Sequence, residues 1–140
     1  MRICVIDGQG GGIGSVIIKR LKEEFGESVE VLALGTNGIA TAQMMKARAN
    51  RGASGENAIV RTVQTADVVI GTLSIVLANS MMGELTPAVA EAVASCPAEK
   101  ILLPLTQEAV VLAGVVSQPL PHLVEGVVNK LKGLVDKANV

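Results

Sequence analysis

A cluster of glycines near the start of the chain most constrains how this sequence can fold. Residues 7–15 read Asp-Gly-Gln-Gly-Gly-Gly-Ile-Gly-Ser, so that five of seven consecutive positions are glycine. The cluster follows an apolar run, Arg2 to Asp7, which is typical of a fully buried strand. It precedes residues 13–25, whose apolar side chains recur with the period of an amphipathic helix. A strand, a glycine-rich turn and a helix in this order are typical of α/β proteins.

The rest of the chain alternates in the same way between strand-like and helix-like patterns. Further buried strands are predicted at residues 29–34, 67–72 and 100–103, with residues 110–115 as a candidate fifth strand. Helices are predicted over about twelve residues after Asn37, ending near Asn50 and Gly52, from Thr86-Pro87 to about Cys96, and from near Pro121 onward.

Residues 54–66 fit two patterns. Residues 58–60 have the composition of a short strand, whereas the apolar spacing of the whole segment also fits a helix. Only a few residues separate this segment from the strand predicted at 67–72, and a parallel crossover needs a dozen or more. A helix is therefore favoured.

Alternating strands and helices predict a single doubly wound, mainly parallel sheet with helices on both faces. The expected fold is a three-layer α/β/α domain over residues 1–140, Rossmann-like or flavodoxin-like. Ligands of such folds bind beyond the carboxyl ends of the strands. The loops that follow the strands are therefore where functional residues are expected.

Composition excludes several classes of protein. The chain has 140 residues, of which 49% are hydrophobic and 18% charged, and this excludes a disordered chain. A net charge of −1 without a basic stripe argues against nucleic acid as a partner. The longest uncharged runs are shorter than the ~20 apolar residues that a membrane span needs, and no signal peptide is visible. We expect a cytoplasmic protein, and its apolar excess predicts a homodimer or a higher homo-oligomer.

The glycine cluster is expected to bind an anion. Glycine lets a ligand approach the bare main chain, and the first N–H groups of the following helix face that ligand with the positive end of the helix dipole. A phosphate group is the expected guest, so that a nucleotide or dinucleotide is a candidate cofactor whose identity stays open. The predicted binding residues are Gly8, Gln9, Gly10, Gly11, Gly12, Ile13, Gly14 and Ser15.

The spacing of the glycines narrows the kind of site. Neither GxGxxG nor the phosphate-loop pattern GxxxxGK[ST] fits, whereas Gly8, Gly12 and Gly14 match GxxxGxG, which resembles the short-chain dehydrogenase fingerprint. However, the chain has no tyrosine to act as a catalytic base, and no acidic residue ends the second strand to hold a ribose. Thr36 and Asn37 stand there instead, either to contact the ligand or to cap the next helix. A classical dehydrogenase is therefore disfavoured.

Other polar residues follow the predicted strands and are candidates for the same site. They are Asp7, Glu56, Asn57, Thr72, Ser74, Asn79 and Glu84. Asp7 is expected either to cap N–H groups of the glycine loop or to hold Mg²⁺, with capping favoured. Glu84 is expected to serve either as a partner of a helix terminus near Thr86 or as an acid in the site, with the structural role favoured. No cluster of metal ligands is visible, since the two cysteines are not in a CxxC pair.

Four motifs together are similar to a family of small bacterial proteins described only as a domain of unknown function. They are residues 6–14, 33–37, 55–59 and 78–87. The resemblance supports the fold and the importance of these loops, and implies no activity.

Three classes of function stay open. The chain could be a module that binds a nucleotide or phosphorylated metabolite, a small enzyme that uses Glu84, Glu56 or Asp7 on such a ligand, or an oligomeric structural protein without a ligand.

Overall fold

A parallel sheet forms the centre of the protein. The computed structural model describes residues 1–138. Its strands are β1 (Arg2–Asp7), β2 (Glu30–Gly35), β3 (Arg51–Ser54), β4 (Val68–Thr72) and β5 (Glu99–Leu103). They lie in the order β3-β2-β1-β4-β5, and every neighbouring pair is parallel. The predicted doubly wound α/β fold is confirmed.

Five α-helices cover the two faces of this sheet within the described residues. They are α1 (Gly12–Phe25), α2 (Gly38–Lys46), α3 (Glu56–Thr62), α4 (Pro87–Ser95) and α5 (Leu120–Ala138). Short 3₁₀ turns lie at Gly26–Ser28, Val63–Thr65, Leu73–Val76 and Met81–Gly83. No helix within residues 1–138 combines the length and the apolar character needed to cross a membrane.

Two apolar cores, one on each face of the sheet, explain why the central strands β1, β2 and β4 carry apolar side chains on both faces. Along β1, Ile3 and Val5 pack into the core beneath α1, α2 and α5. Cys4 and Ile6 point the opposite way, into the core beneath α3 and α4. Successive side chains of a strand face opposite sides, so a strand covered on both faces has no polar position.

Three elements of the structure differ from the prediction or refine it. Within residues 54–66, the favoured helix is present over residues 56–65, since α3 continues into the turn Val63–Thr65, whereas Ser54 ends β3. The helix after Asn37 is shorter than predicted, because Arg48 adopts a left-handed backbone with φ 83° and the chain then enters β3. Strand β3 was not predicted at all. Its sequence, Arg-Gly-Ala-Ser, has little β propensity, and pairing with β2 places it at the edge of the sheet.

The candidate strand at residues 110–115 is wrong. This part of the chain has no regular structure and is exposed to solvent throughout. A turn interrupts it, in which Gly114 has φ 82° and the Val115 N–H donates to the Leu112 carbonyl at 3.4 Å. Its apolar residues have the composition of a strand, but they pair with no strand of the sheet among the described residues.

The backbone at the end of β2 leaves no room for a side chain at Gly35, whereas Gly38 nearby has room for one. The two glycines therefore give a test of the fold and its control. A Cβ on Gly35 would contact Thr41 Oγ1 and lie 2.7 Å from the Asn37 carbonyl oxygen and from the Thr41 nitrogen. We expect Gly35→Ala to lower the free energy of unfolding by about 1–3 kcal/mol, because main-chain atoms must move. A Cβ on Gly38 meets no atom within 4 Å, so Gly38→Ala serves as the control with unchanged or slightly higher stability. Chemical denaturation followed by circular dichroism measures both, and equal losses would contradict this account.

Candidate functional site

The glycine loop, residues 8–14, makes a tight turn from β1 into α1. Gln9 and Gly11 both have left-handed backbones, with φ 50° and 72°, and the Gly11 N–H donates to the Gly8 carbonyl at 2.9 Å. A Cβ on Gly11 would lie 2.7 Å from the carbonyl oxygen of Ala40 in α2. Glycine at this position therefore serves both the turn and the close approach of α2.

The Asp7 carboxylate ties the two ends of this loop together. Its Oδ1 accepts from the Gly8 N–H at 2.8 Å and its Oδ2 from the Gly14 N–H at 2.7 Å. The side chain fits because Gly14 has no Cβ, which would lie 3.0 Å from the Cβ of Asp7 and 2.6 Å from Met44 Sδ. Burial raises the pKa of Asp7 and outweighs the lowering effect of the two N–H donors. Of the two roles expected for Asp7, these contacts are those of the cap.

A second carboxylate, that of Glu84, approaches the loop from its outer side. Glu84 Oε1 accepts from the Gln9 N–H at 2.9 Å, from Thr36 Oγ1 at 2.7 Å and from Asn37 Nδ2 at 2.7 Å. These three donors hold the pKa of Glu84 below its usual value, with the Gln9 N–H as the largest contribution. Glu84 therefore bonds to the glycine loop and to the residue that caps α2, and not to the helix terminus near Thr86.

Asn37 caps α2, which is one of the two roles left open for it. Its Oδ1 accepts from the Ala40 N–H at 2.8 Å, which caps α2. Its Nδ2 also donates to the Gln9 carbonyl at 3.0 Å, in addition to its contact with Glu84. The cap of α2 is thereby fixed to the glycine loop.

The loop that carries Glu84, residues 73–86 between β4 and α4, has an unusual backbone. Asn79, Met81 and Met82 are all left-handed, with φ between 55° and 67°, although none of them is glycine. Ser80 is fully buried and donates from Oγ to the Ser74 carbonyl at 2.6 Å. Left-handed residues of this kind persist only where surrounding contacts enforce them. The loop is therefore held in one conformation against the glycine loop.

A cleft of about 290 Å³ opens between the carboxyl ends of β1 and β4. It is lined by Asp7, Gln9, Ile13, Thr72, Ser74, Met81, Leu105, Thr106, Gln107 and Glu108. The sheet runs from β1 toward β2 and β3 on one side and from β4 to β5 on the other, so β1 and β4 flank its topological switch point. Open α/β sheets bind their ligands at this position.

Three main-chain N–H groups beside the cleft have no protein acceptor. Those of Gly10, Gly12 and Ile13 donate to no acceptor within residues 1–138, whereas their neighbours donate to Asp7, Glu84 or loop carbonyls. Two of the three belong to the first turn of α1, where unpaired donors and the helix dipole favour an anion.

The structure gathers some of the other predicted residues and separates the rest. Thr72 and Ser74 line the cleft, and Ser74 Oγ lies 2.8 Å from Thr106 Oγ1. Glu56 is not in the cleft, because its carboxylate accepts from Thr86 Oγ1 at 2.6 Å where α4 begins. Asn57 is an exposed residue of α3 and does not line the cleft either.

Five residues of the cleft were not predicted from the sequence. They are Met81, Leu105, Thr106, Gln107 and Glu108. The last four directly follow β5, so that the parallel topology alone places them at the same edge of the sheet. Among residues 1–138, no three His, Cys, Asp or Glu side chains are grouped in a way that could hold a metal ion.

Comparison with known proteins assigns a family. The model of a domain of unknown function, DUF3842, matches residues 2–136. The chain belongs to this family. No curated protein and no solved structure matches the sequence. The matched residues include the glycine loop, the β4–α4 loop and the residues that line the cleft. The description of the family names no activity.

The Asp7 cap can be tested by removing its charge without changing its shape. In Asp7→Asn, the side-chain NH₂ would face a main-chain N–H in place of an acceptor, so one buried donor loses its partner. We expect a loss of about 1–3 kcal/mol in the free energy of unfolding at neutral pH. Asp67→Asn is the matched control, because the exposed Asp67 carboxylate accepts only one main-chain N–H, from Arg2 at 2.7 Å. Similar losses in both variants would contradict the proposed cap.

The lowered pKa of Glu84 predicts a pH-dependent contribution to stability. A carboxyl with a lowered folded-state pKa stabilises the protein above its usual value of 4.5, and this contribution is lost as the pH falls through the folded-state pKa. The difference in free energy of unfolding between wild type and Glu84→Gln should therefore be full above pH 4.5 and shrink below it. Glu91→Gln, on the exposed side of α4, should follow the wild-type profile. A difference independent of pH would show that Glu84 acts through its shape alone.

Proposed function

We propose that this protein binds a small phosphorylated metabolite or nucleotide in the cleft between β1 and β4, without transforming it. The observation that carries the proposal is the set of unpaired N–H groups of Gly10, Gly12 and Ile13 at the start of α1, beside the cleft at the switch point. A phosphate oxygen is a strong acceptor for such donors, and no side chain within residues 1–138 takes that place.

The glycine loop already accommodates negative charge from the protein itself. Asp7 and Glu84 each accept main-chain N–H groups of the loop, which supports the view that its donors are arranged for oxygen anions. Both carboxylates also restrict where a phosphate can bind, because their negative charge would repel a phosphate that shared their donors. The ligand is therefore expected on the remaining donors, on the side of Ile13.

The same contacts favour binding over catalysis. The acids that the sequence suggested for a reaction are Asp7, Glu84 and Glu56. Both oxygens of Asp7 accept main-chain donors, and Glu84, whose Oε1 accepts three donors, does not line the cleft. Glu56 lies outside the cleft, bonded to Thr86. A general base must lie within hydrogen-bond reach of the proton that it removes.

The cleft is also suited to phosphate rather than to a particular base. None of its lining residues is aromatic, and Phe25, the chain's single aromatic residue, lies at the far end of α1. Without a ring on which a base could stack, main-chain donors would carry most of the affinity. We expect little discrimination between bases.

Gly12 offers a sharp test of this site. A Cβ on Gly12 meets no atom within 4 Å, so both Gly12→Ala and Gly12→Asp fit the fold, and an acid in the first turn of a helix is favourable. Gly12→Asp should nevertheless weaken ligand binding about a hundredfold or more, by repelling phosphate oxygens and removing about two charge-assisted hydrogen bonds. Gly12→Ala and Gln9→Ala should bind nearly as wild type does, since the contacts are to the main chain.

Calorimetry with inorganic pyrophosphate, ATP, NADP and FMN measures these affinities. Equal binding by wild type and Gly12→Asp would overturn the site, and so would the failure of wild type to bind any of the four. A strong preference for one of the three nucleotides, with pyrophosphate not bound, would overturn the dominance of phosphate.

A further inference from the structure

An apolar segment between β5 and α5 lies open to solvent. Every residue from 107 to 119 is exposed, and Val111 and Val116 retain 93% and 74% of their accessible surface. The large apolar side chains of this segment are Val110, Val111, Leu112, Val115 and Val116. Isolated exposed apolar residues are ordinary, whereas a contiguous set of this kind marks a surface that another molecule covers.

A groove of about 610 Å³ runs beside this segment, between β5 and α5. Because β5 is the last strand of the sheet, its outer edge has no hydrogen-bonded neighbour among the described strands. An open strand edge with apolar surroundings is a template for pairing with another chain.

Two glycines of α5 keep the groove open. Gly126 and Gly133 both line it, and their spacing of seven residues places them on the same face of the helix. A Cβ at either position would meet no atom within 4 Å. Glycine inside a helix is less stable than alanine by roughly 0.5–1 kcal/mol, so the fold of one chain alone gives no reason for these two residues.

The segment and the groove form one continuous surface. Pro104 and Leu123 line the groove, and they also line a smaller cavity of about 210 Å³ beneath Leu112, Val115 and Val116. An exposed apolar segment and an empty apolar groove therefore lie next to each other on the same face of the protein. A two-fold axis through this face would bring the segment of each copy against the groove of the other.

We propose that two copies of this chain associate through this face, with residues 110–116 of each copy lying in the β5–α5 groove of the other. Charge supports a second copy as the occupant. The segment itself is uncharged and is preceded by Glu108, while the groove has a net positive charge from three lysines and one acid, Lys100, Lys130, Lys137 and Glu99. Within residues 1–138, Glu108, Lys130 and Lys137 form no salt bridge in the single chain.

A stable interface buries roughly 1,200–2,000 Å² in total, which the two segments and the two grooves together would have to supply. This association does not depend on the ligand proposed for the cleft.

Sedimentation and light scattering at micromolar concentration test the proposal. We expect wild type to have twice the chain mass of 14.4 kDa. The double variant Val111→Glu/Val116→Glu should be a monomer with an unchanged circular dichroism spectrum, because both side chains are exposed in the single chain. Ile39→Glu changes a side chain that is 69% exposed on α2, away from this face, and should remain a dimer.

A variant in the groove tests the other side of the contact independently of the segment. Gly133→Leu places a side chain in the groove from α5, where a Cβ meets no atom within 4 Å, and replaces glycine with a good helix former. We expect it to be a folded monomer. A monomeric wild type, or an Ile39→Glu variant that also dissociates, would overturn the proposed face. If Gly133→Leu dissociates while Val111→Glu/Val116→Glu stays dimeric, another segment occupies the groove and the assigned occupant is wrong.

Discussion

The contact on which this structure depends most is the bridge that the Asp7 carboxylate makes across the glycine loop. By accepting the N–H groups of Gly8 and Gly14, Asp7 fixes the last residue of β1 to the first turn of α1. The bridge is possible only because Gly14 has no side chain at a point where Asp7 and Met44 both approach. A buried carboxylate is unfavourable by itself, and here the two main-chain donors offset part of its desolvation. The start of α1 and the wall of the cleft both follow from this one side chain.

Glu84 extends the same arrangement to the other side of the loop. It connects the β4–α4 loop to the end of β2 through Thr36 and Asn37, so that three loops at the carboxyl edge of the sheet share one carboxylate oxygen. The left-handed residues that precede Glu84 indicate that this position is enforced. Two protein carboxylates thus satisfy part of the donor set at this edge, and the donors that remain are those beside the cleft.

The sequence was most informative where a local pattern determines the structure. The strand–glycine–helix unit at the start of the chain could be predicted because its turn chemistry, burial and helical period all agree. Strand β3 could not, because it exists through pairing with β2 rather than through its own residues. Residues 110–115 failed for the opposite reason, since strand-like residues form a strand only where they pair, and these residues do not pair with the open edge of β5. The contact between Glu84 and Gln9 could not be predicted, because the two residues are far apart along the chain and only the fold brings them together.

The scarcity of aromatic residues has a practical consequence. The chain contains no tryptophan and no tyrosine. Its single phenylalanine, Phe25, is partly buried against the core beneath α1, α2 and α5. Since tryptophan and tyrosine supply nearly all of a protein's absorption in the near ultraviolet, this protein is almost transparent there. A nucleobase, flavin or nicotinamide retained in the cleft through purification would therefore dominate the spectrum, whereas a metabolite without a ring would leave it blank. The absorption spectrum of the purified protein is thus a direct record of whether it carries an aromatic ligand.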